Sequence, residues 1–504
     1  WWDHHAGESI ESKPFDIANI DIYVDLPDAI HDRVDAALHK FHVVFEGTEN
    51  TLPKPFNADP LELKFIANAV PQFVPEPRWS NAYGNVVRKW AEDGIKNLSL
   101  RFSKSAWASR PHIVVKPPAG KTAATAPIED CKLRVCGDYR AVNTQIEKMA
   151  PNLPTGTVEL EKASGHQFYF ESDSVACYNS FRLAVGRSCE ALAIWTPLGL
   201  VEPTVLPYGQ KNSGTEAQGP YRIASRHLRQ TSNYVDDWLG YSNDLDDLCD
   251  RFEEFLQACL DNNITLNTHK TKFGYPSATF FGFTVDAAGT RLADKHIDPI
   301  KAMVPPTDIS ELRRTLGLFV VSRKYIRSYA MITKPMTDLL RGNKPVFEWT
   351  AKQQKAFDHI RDLLLGGIHL AAPNFDLPFH LATDASEDGK GAVLYQLPEI
   401  PLDDQVVWSA RTHCPDNMAV VMFMSKAWNE TQRNRPPFYL EADALLTFMI
   451  KSKFYALSSR FPLYTYSDHL PLCWMSKSEK GPVSQFLIED LAELDTVHQY
   501  IQGH

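Results

Sequence analysis

Apolar and polar positions divide the chain into segments of two kinds. Helical spacing, with apolar side chains three and four apart, marks residues 250–262, where Phe252, Phe255, Leu256 and Cys259 fall on one face. The same spacing runs through Leu312, Leu316, Phe319 and Val320, and its start is signalled by Asp308 as N-cap with Glu311 three residues on. Further helices are predicted near 28–45, over 81–93 before Gly94, over 215–228, and from about Glu441, which leads Leu445, Phe448 and Met449. Short apolar and aromatic runs predict strands at 112–116, 132–136, 168–173, 280–283, 379–386, 391–395 and 463–468. Residues 233–240 read as two short strands meeting at a tight turn, and that turn carries Asp236 and Asp237. Frequent proline over 51–77 predicts an extended connection along a surface.

Composition bounds this picture without changing it. A chain of 504 residues with 44% hydrophobic and 23% charged content is expected to form three or four globular domains. No apolar run is long enough to cross a bilayer and no signal-peptide pattern is present, so a protein working in water inside a cell is expected. Eight scattered cysteines, without C-x-x-C or zinc spacing, predict free thiols rather than a disulfide or zinc framework. The net charge of -10 conceals two basic islands, 101–150 and 301–350, each with nine Lys+Arg against four Asp+Glu. They flank an acidic centre, as expected if phosphate contacts are local and the centre holds cations; solvated basic faces are the alternative.

Candidate chemistry gathers at carboxylates. An adjacent acidic pair at a buried turn is costly unless a cation holds it, so Asp236-Asp237 is either a solvated polar turn or a metal site. Asp173 ends an aromatic strand some sixty residues earlier, and antiparallel pairing of the two strands would bring the three carboxylates together. Asp384 and Asp468 also end strands and, with a carboxylate at the start of a helix, make a second candidate two-metal site. The predicted hairpin 112–136 would place cationic side chains near a polyanion such as a triphosphate.

With these residues placed, the chain from about Leu52 onward resembles the reverse transcriptase and ribonuclease H region of gypsy-type (Metaviridae-like) long-terminal-repeat retroelement polyproteins. Tyr234-Val235-Asp236-Asp237 is similar to the Y-x-D-D motif and Ser105–Ser109 to S-P-W-A-S. Arg134 with Asp138-Tyr139-Arg140 resembles R-x-x-x-D-Y-R, and 206–212 resembles M-P-F-G-L-K-N. Phe281-Gly282-Phe283 resembles a primer grip, 311–317 a thumb helix, and Thr383-Asp384-Ala385-Ser386 with Ser467-Asp468-His469 the ribonuclease H strands. One departure is Asn233, where an apolar strand residue is expected before Tyr234.

The resemblance implies an α+β multidomain fold, a right-hand polymerase followed by a ribonuclease H-like α/β domain. Its parts would be an N-terminal extension 1–50, fingers with N-terminal palm segments 51–165, palm 166–290, thumb and connection 291–374, and a C-terminally incomplete ribonuclease H-like domain 375–504. It implies RNA- and DNA-templated DNA synthesis with hybrid cleavage, using two Mg2+ per site with Mn2+ as a substitute. Asp173, Asp236 and Asp237 would hold the polymerase ions. Lys116, Arg134, Ala176, Cys177, Tyr178, Tyr208 and Gly209 would bind the nucleotide, Tyr178 by blocking a ribose 2'-hydroxyl. Lys270, or alternatively Lys272, would protonate pyrophosphate. Phe281, Gly282, Arg313, Arg314, Arg323, Lys324 and Arg327 would bind nucleic acid. In the hydrolase, Asp384, Asp443 and Asp468 would hold metal, with Asp443 chosen by ungapped register and Glu441 serving only if the helix is shifted; Tyr500 would stand in place of a His. A longer loop or added strand is expected over 396–425. Implied partners are an RNA/DNA hybrid, primer-template and dNTPs, with no membrane, a homodimer as one mode of assembly, and neighbouring protease and integrase regions. The implied location is cytoplasmic, within virus-like particles. A nucleic-acid-binding derivative without catalysis, or a polymerase with a weak hydrolase, are the competing readings.

Overall fold

In the computed structural model, residues 16, 19–46, 52–118, 131–342, 346–397, 418–468 and 494–500 are described. Two compact units divide the chain, one of residues 1–159 with 166–278 and one of 160–165 with 279–504. Among the described residues no helix is long and apolar enough to cross a membrane.

In the first unit, strands β1 (Pro111–Lys116) and β2 (Lys132–Gly137) pair antiparallel, as their alternation predicts. The central sheet is built from β3 (Phe168–Asp173), β4 (Thr231–Tyr234), β5 (Asp237–Ser242) and β6 (Lys272–Tyr275), with the short strand Asp21–Ile22 on its edge in the order 21–22, β6, β3, β5, β4. Helix α1 (Ser213–Ser225) precedes β4, and α2 (Leu245–Asp261) follows β5. α2 begins five residues before the expected 250, because Asp244 caps it by accepting the Asp247 N–H. Its Phe252 and Phe255 rings pack at 5.1–5.3 Å from Phe170, with Trp238 and Phe273 completing the layer. Gly240 lies opposite Phe170 in the β3–β5 register, where a Cβ would come within 2.0 Å of that ring. That helix-on-sheet core fixes the edge on which Asp173 and the β4–β5 turn sit.

In the second unit the expected aromatic strand 280–283 is broken. Phe281 (φ +51°) and Gly282 (φ +82°) turn the chain, and the next strand runs Phe283–Asp286. The helix Ile309–Val321 is capped as expected by Asp308, which accepts the Glu311 N–H; the Glu311 carboxylate, however, accepts from Thr307. Leu312 and Phe319 of this helix share a core with Ile326, Met336, Phe357 and Ile360. A separate five-stranded sheet follows, made of β7 (His380–Ala385), β8 (Gly389–Gln396), β9 (Ala419–Ala427), β10 (Leu463–Ser467) and β11 (Thr496–Tyr500), in the order β9, β8, β7, β10, β11. β7–β8 and β8–β9 are antiparallel, and β7–β10 and β10–β11 parallel. β9 is one edge strand of this five-stranded sheet; most of the stretch for which a longer loop or added strand is expected, 398–417, lies outside the described residues. Helix α3 (Pro437–Ser458) packs Leu445, Phe448 and Met449 on this sheet. It starts four residues before the expected Glu441, with Pro437 in its first turn, where a missing N–H costs nothing.

Candidate active sites

The first site forms where β3 and β5 run antiparallel. Asp173 and Asp237 are paired positions in that register, and the Asp236 carbonyl accepts the Ser174 N–H at 2.8 Å. A cleft of about 610 Å³ is lined by Asp173, Asp236, Lys116, Arg134, Ala176, Cys177, Tyr208 and Lys270. Lys270 Nζ lies 2.8 Å from Asp173 Oδ1. Lys272 lies over the Tyr275 ring instead. Asp237, opposite Asp173 in the sheet, is exposed and is not among the residues lining the cleft.

The walls follow from local backbone. Ala176 takes a left-handed conformation (φ +45°) and starts the short 3-10 turn Cys177–Ser180. That turn presents the Tyr178 ring edge-on to Tyr208 at 5.1 Å, and the Arg134 guanidinium covers Tyr208 at 4.7 Å. Burial pushes the Tyr178 hydroxyl up to about 12, so it remains a neutral hydrogen-bonding group. Burial also pushes the Cys177 thiol up to about 12. Gly209 (φ +94°) approaches β2 so closely that a Cβ would lie 3.0 Å from the Gly137 carbonyl.

The second site lies in the second unit. Asp384, near the end of β7, and Asp468, directly after β10, line a cavity of about 340 Å³ with Ser386, Arg327, Ser328 and Met331. The third carboxylate is Glu441. Burial, then the charges of Asp468 and Asp384, raise its carboxyl to about 7. Among the described residues its buried Oε2 has no hydrogen-bond partner. Asp443, expected at this site, is turned away from Asp384 and Asp468. Two residues along a helix is a turn of roughly 200°, so the two side chains cannot serve one site. Asp443 faces β8, where its Oδ2 takes a 2.6 Å bond from the buried Lys390 ammonium, which also bonds Thr447. Lys390 gave no sign of this role in the sequence. The backbone of Tyr500 pairs with Ser467, next to Asp468; its side chain lies outside the described residues.

Of the expected nucleic-acid contacts, Arg313, Arg314, Arg323 and Arg327 are exposed. Lys324 is not a surface cation: it lies over Phe283 and Tyr325, and burial lowers its pKa despite nearby Glu161. The carboxylates of both sites are oxygen donors, the kind that suits a hard divalent ion. Among the described residues no three of His, Cys, Asp and Glu are closed into a ligand group. A Mg2+-like ion, which keeps water and takes phosphate oxygens, fits such an open pair of carboxylates.

A mainly antiparallel sheet with carboxylates at its strand ends, and a mixed five-stranded sheet with two strand-end carboxylates and a third on the helix packed against it, are the arrangement of a polymerase-like fold followed by a ribonuclease H-like fold. Residues 128–285 match the family model for reverse transcriptase (RNA-dependent DNA polymerase), and 349–402 that for the RNase H-like domain found in reverse transcriptase. Over these two stretches the chain is similar to the polymerase and RNase H-like domains of reverse transcriptases. It is 27% identical over 407 residues to the Retrovirus-related Pol polyprotein from transposon opus and 27% over 401 residues to that from transposon gypsy, both of Drosophila melanogaster. These alignments cover 78% and 74% of this chain but 38% and 36% of the relatives, so the chain spans just over a third of their length. The Tf2-3 polyprotein of Schizosaccharomyces pombe is 25% identical over 94% of the chain and 33% of its own length. The foamy viral protease-reverse transcriptase dRH solved in complex with double-stranded DNA has a similar fold, with a TM-score of 0.78 at 17% identity, over 97% of this chain and 81% of that one. The form solved with an RNA/DNA hybrid gives 0.74 at 16%, over 97% and 62%.

Proposed function

We propose that the chain is an RNA- and DNA-templated DNA polymerase with ribonuclease H activity on RNA/DNA hybrids, acting within a retroelement polyprotein. The observation that carries this reading is the meeting of Asp173 and Asp236 in one cleft whose walls bear Lys116, Arg134 and Lys270. Two Mg2+ ions per site, with Mn2+ able to replace them, would activate the primer 3'-hydroxyl and stabilise the leaving pyrophosphate. The chain's own residues hold and orient. Arg134 and Lys116 offer charge to a triphosphate, while the Ala176-Cys177 backbone would receive its phosphate tail. Tyr178, braced by Tyr208, closes the place of a ribose 2'-hydroxyl, and Lys270 is placed to give a proton to pyrophosphate. Asp237 supports the turn. In the hydrolytic site Asp384, Glu441 and Asp468 would hold such ions, whose chemistry there would be to activate water toward an RNA phosphate.

In this reading 51–165 serve as fingers, 166–290 as palm, 291–374 as thumb and connection, and 375–504 as the hydrolase. Primer-template, dNTPs and hybrid are the ligands. Protease and integrase regions of the same polyprotein, a homodimer and virus-like particles are its setting. Primer extension on an RNA template and hybrid cleavage, measured on one preparation, test the assignment. Asp236→Asn should abolish extension and spare cleavage, and extension that persists in that variant would sink the reading.

A further inference from the structure

The turn that carries Asp236 is gripped by two buried amides. β4 and β5 are joined by the two-residue loop Val235-Asp236, and Val235 has φ +54°. Glycine ordinarily fills the first position of such a loop, because a β-branched side chain at positive φ collides with its own backbone. A conformation of this kind persists only where the surroundings hold it.

The holding groups are Gln218 on α1 and Asn233 on β4, 1% and 7% exposed. The Val235 N–H donates to Gln218 Oε1 at 2.7 Å, and Gln218 Nε2 donates to Asn233 Oδ1 at 2.8 Å. Asn233 Nδ2 donates to the carbonyls of Val235 and Asp237 at 3.2 and 3.3 Å. The orientation of both amides follows from the groups at the ends of this chain. A backbone N–H can only donate, so Gln218 turns its oxygen to Val235 and its nitrogen to Asn233. Asn233 must answer with oxygen, which leaves its nitrogen facing two carbonyls that can only accept. On the far side of the loop, the Asp236 carbonyl is held by Ser174, next to Asp173. This accounts for a polar residue at 233, where the resemblance calls for an apolar one.

We propose that Asn233 is a positioning residue: through Gln218 and the carbonyls of Val235 and Asp237 it holds the strained loop that sets Asp236 on the floor of the cleft. The proposal rests on the polymerase reading, but its test can be read without polymerase activity. Asn233→Leu keeps the branching of the side chain while leaving Gln218 Nε2 and the carbonyls of Val235 and Asp237 without the amide that joins them. The loop then relaxes toward ordinary φ and Asp236 moves.

Mn2+ binding is measured by electron paramagnetic resonance in a chain carrying Asp384→Asn and Asp468→Asn, so that the hydrolytic carboxylates do not dominate the titration. Asn233→Leu is expected to weaken Mn2+ binding roughly tenfold. In the otherwise unaltered chain it should raise the half-saturating Mg2+ for primer extension by a similar factor and lower kcat. Adding Val235→Gly, which accepts positive φ without strain, should recover most of both losses. A merely structural role would lower Tm without moving the metal dependence or responding to Val235→Gly. Unchanged Mn2+ affinity in Asn233→Leu, or a loss that Val235→Gly does not recover, would overturn the proposal. Should Asn233→Leu be insoluble, Asn233→Thr, strand-compatible but too short to reach the carbonyls, carries the same expectation. If the unaltered chain extends no primer, the polymerase reading fails while the Mn2+ comparison still decides the role of Asn233.

Discussion

Glu441 and Asp443 lie two residues apart on one helix, and replacing each with its amide should move stability in opposite directions. In metal-free protein Glu441 is raised from 4.5 to about 7, by burial first and then by Asp468 and Asp384. A raised carboxyl binds a proton in the folded state that the unfolded state has lost. Stability therefore falls as pH rises from about 4.5 through about 7, and above that range the penalty is complete. The shift corresponds to on the order of 2–3 kcal/mol once residual screening is allowed for. Glu441→Gln removes that penalty. At pH 8 in chelator it should raise the Tm of the second unit by several degrees, at roughly 2–4 °C per kcal/mol for a domain of this size. At pH 4.5 it should change little. Asp443→Asn instead strands the Lys390 ammonium, 1% exposed, without its counter-charge. Breaking a buried pair from one side costs about 3–5 kcal/mol, so Tm should fall. The assay is calorimetric unfolding at both pH values, with hybrid cleavage in Mg2+ measured alongside. Glu441→Gln should be the more stable and hydrolytically dead variant, and Asp443→Asn the less stable one that still cleaves when folded. Cleavage that survives Glu441→Gln but vanishes in folded Asp443→Asn would refute this placement.

Tyr178→Ala removes the ring that packs on the cleft residue Tyr208 and should raise ribonucleotide incorporation relative to deoxynucleotide by roughly tenfold or more, read as a ratio of kcat/KM. Gly240→Ala would set a Cβ 2.0 Å from the Phe170 ring and should cost about 1–3 kcal/mol in the first unit, measured by urea unfolding. Burial lowers His380 to about 4, so its neutral form is favoured on folding. The second unit should lose stability as pH falls from about 6.5 toward 4, and His380→Phe should flatten that part of its Tm profile if the ring stack is kept.

The elements that sequence made legible are those whose determinants are local. The Asp236-Asp237 turn is marked by two adjacent charges inside apolar strands, and the helix after Asp308 by its cap. What sequence hid was decided by distant partners. Lys390, 53 positions before Asp443, neutralises that carboxylate and leaves Glu441 to face Asp384 and Asp468. Glu161 and two aromatic rings enclose Lys324, which reads in sequence as one more cation of a basic island. The turn at Phe281 could not be read at all, because positive φ at a bulky residue has no compositional signature. Asn233 lies between these cases: its polarity was visible as an anomaly, but its meaning required Gln218.

The short strand Asp21–Ile22 lies parallel to β6, and the Tyr275 hydroxyl donates to Asp21 across 254 positions of sequence. A polypeptide emerging from the ribosome can pair β3 with β5 well before β6 exists, but it cannot close this edge until nearly the whole first unit has been made. Non-local closures of this kind are slow, and an unpaired strand edge is open to wrong partners while it waits. The leading segment of the unit is thus also its last seal, and a nascent chain truncated before Lys272 would expose the central sheet along that margin.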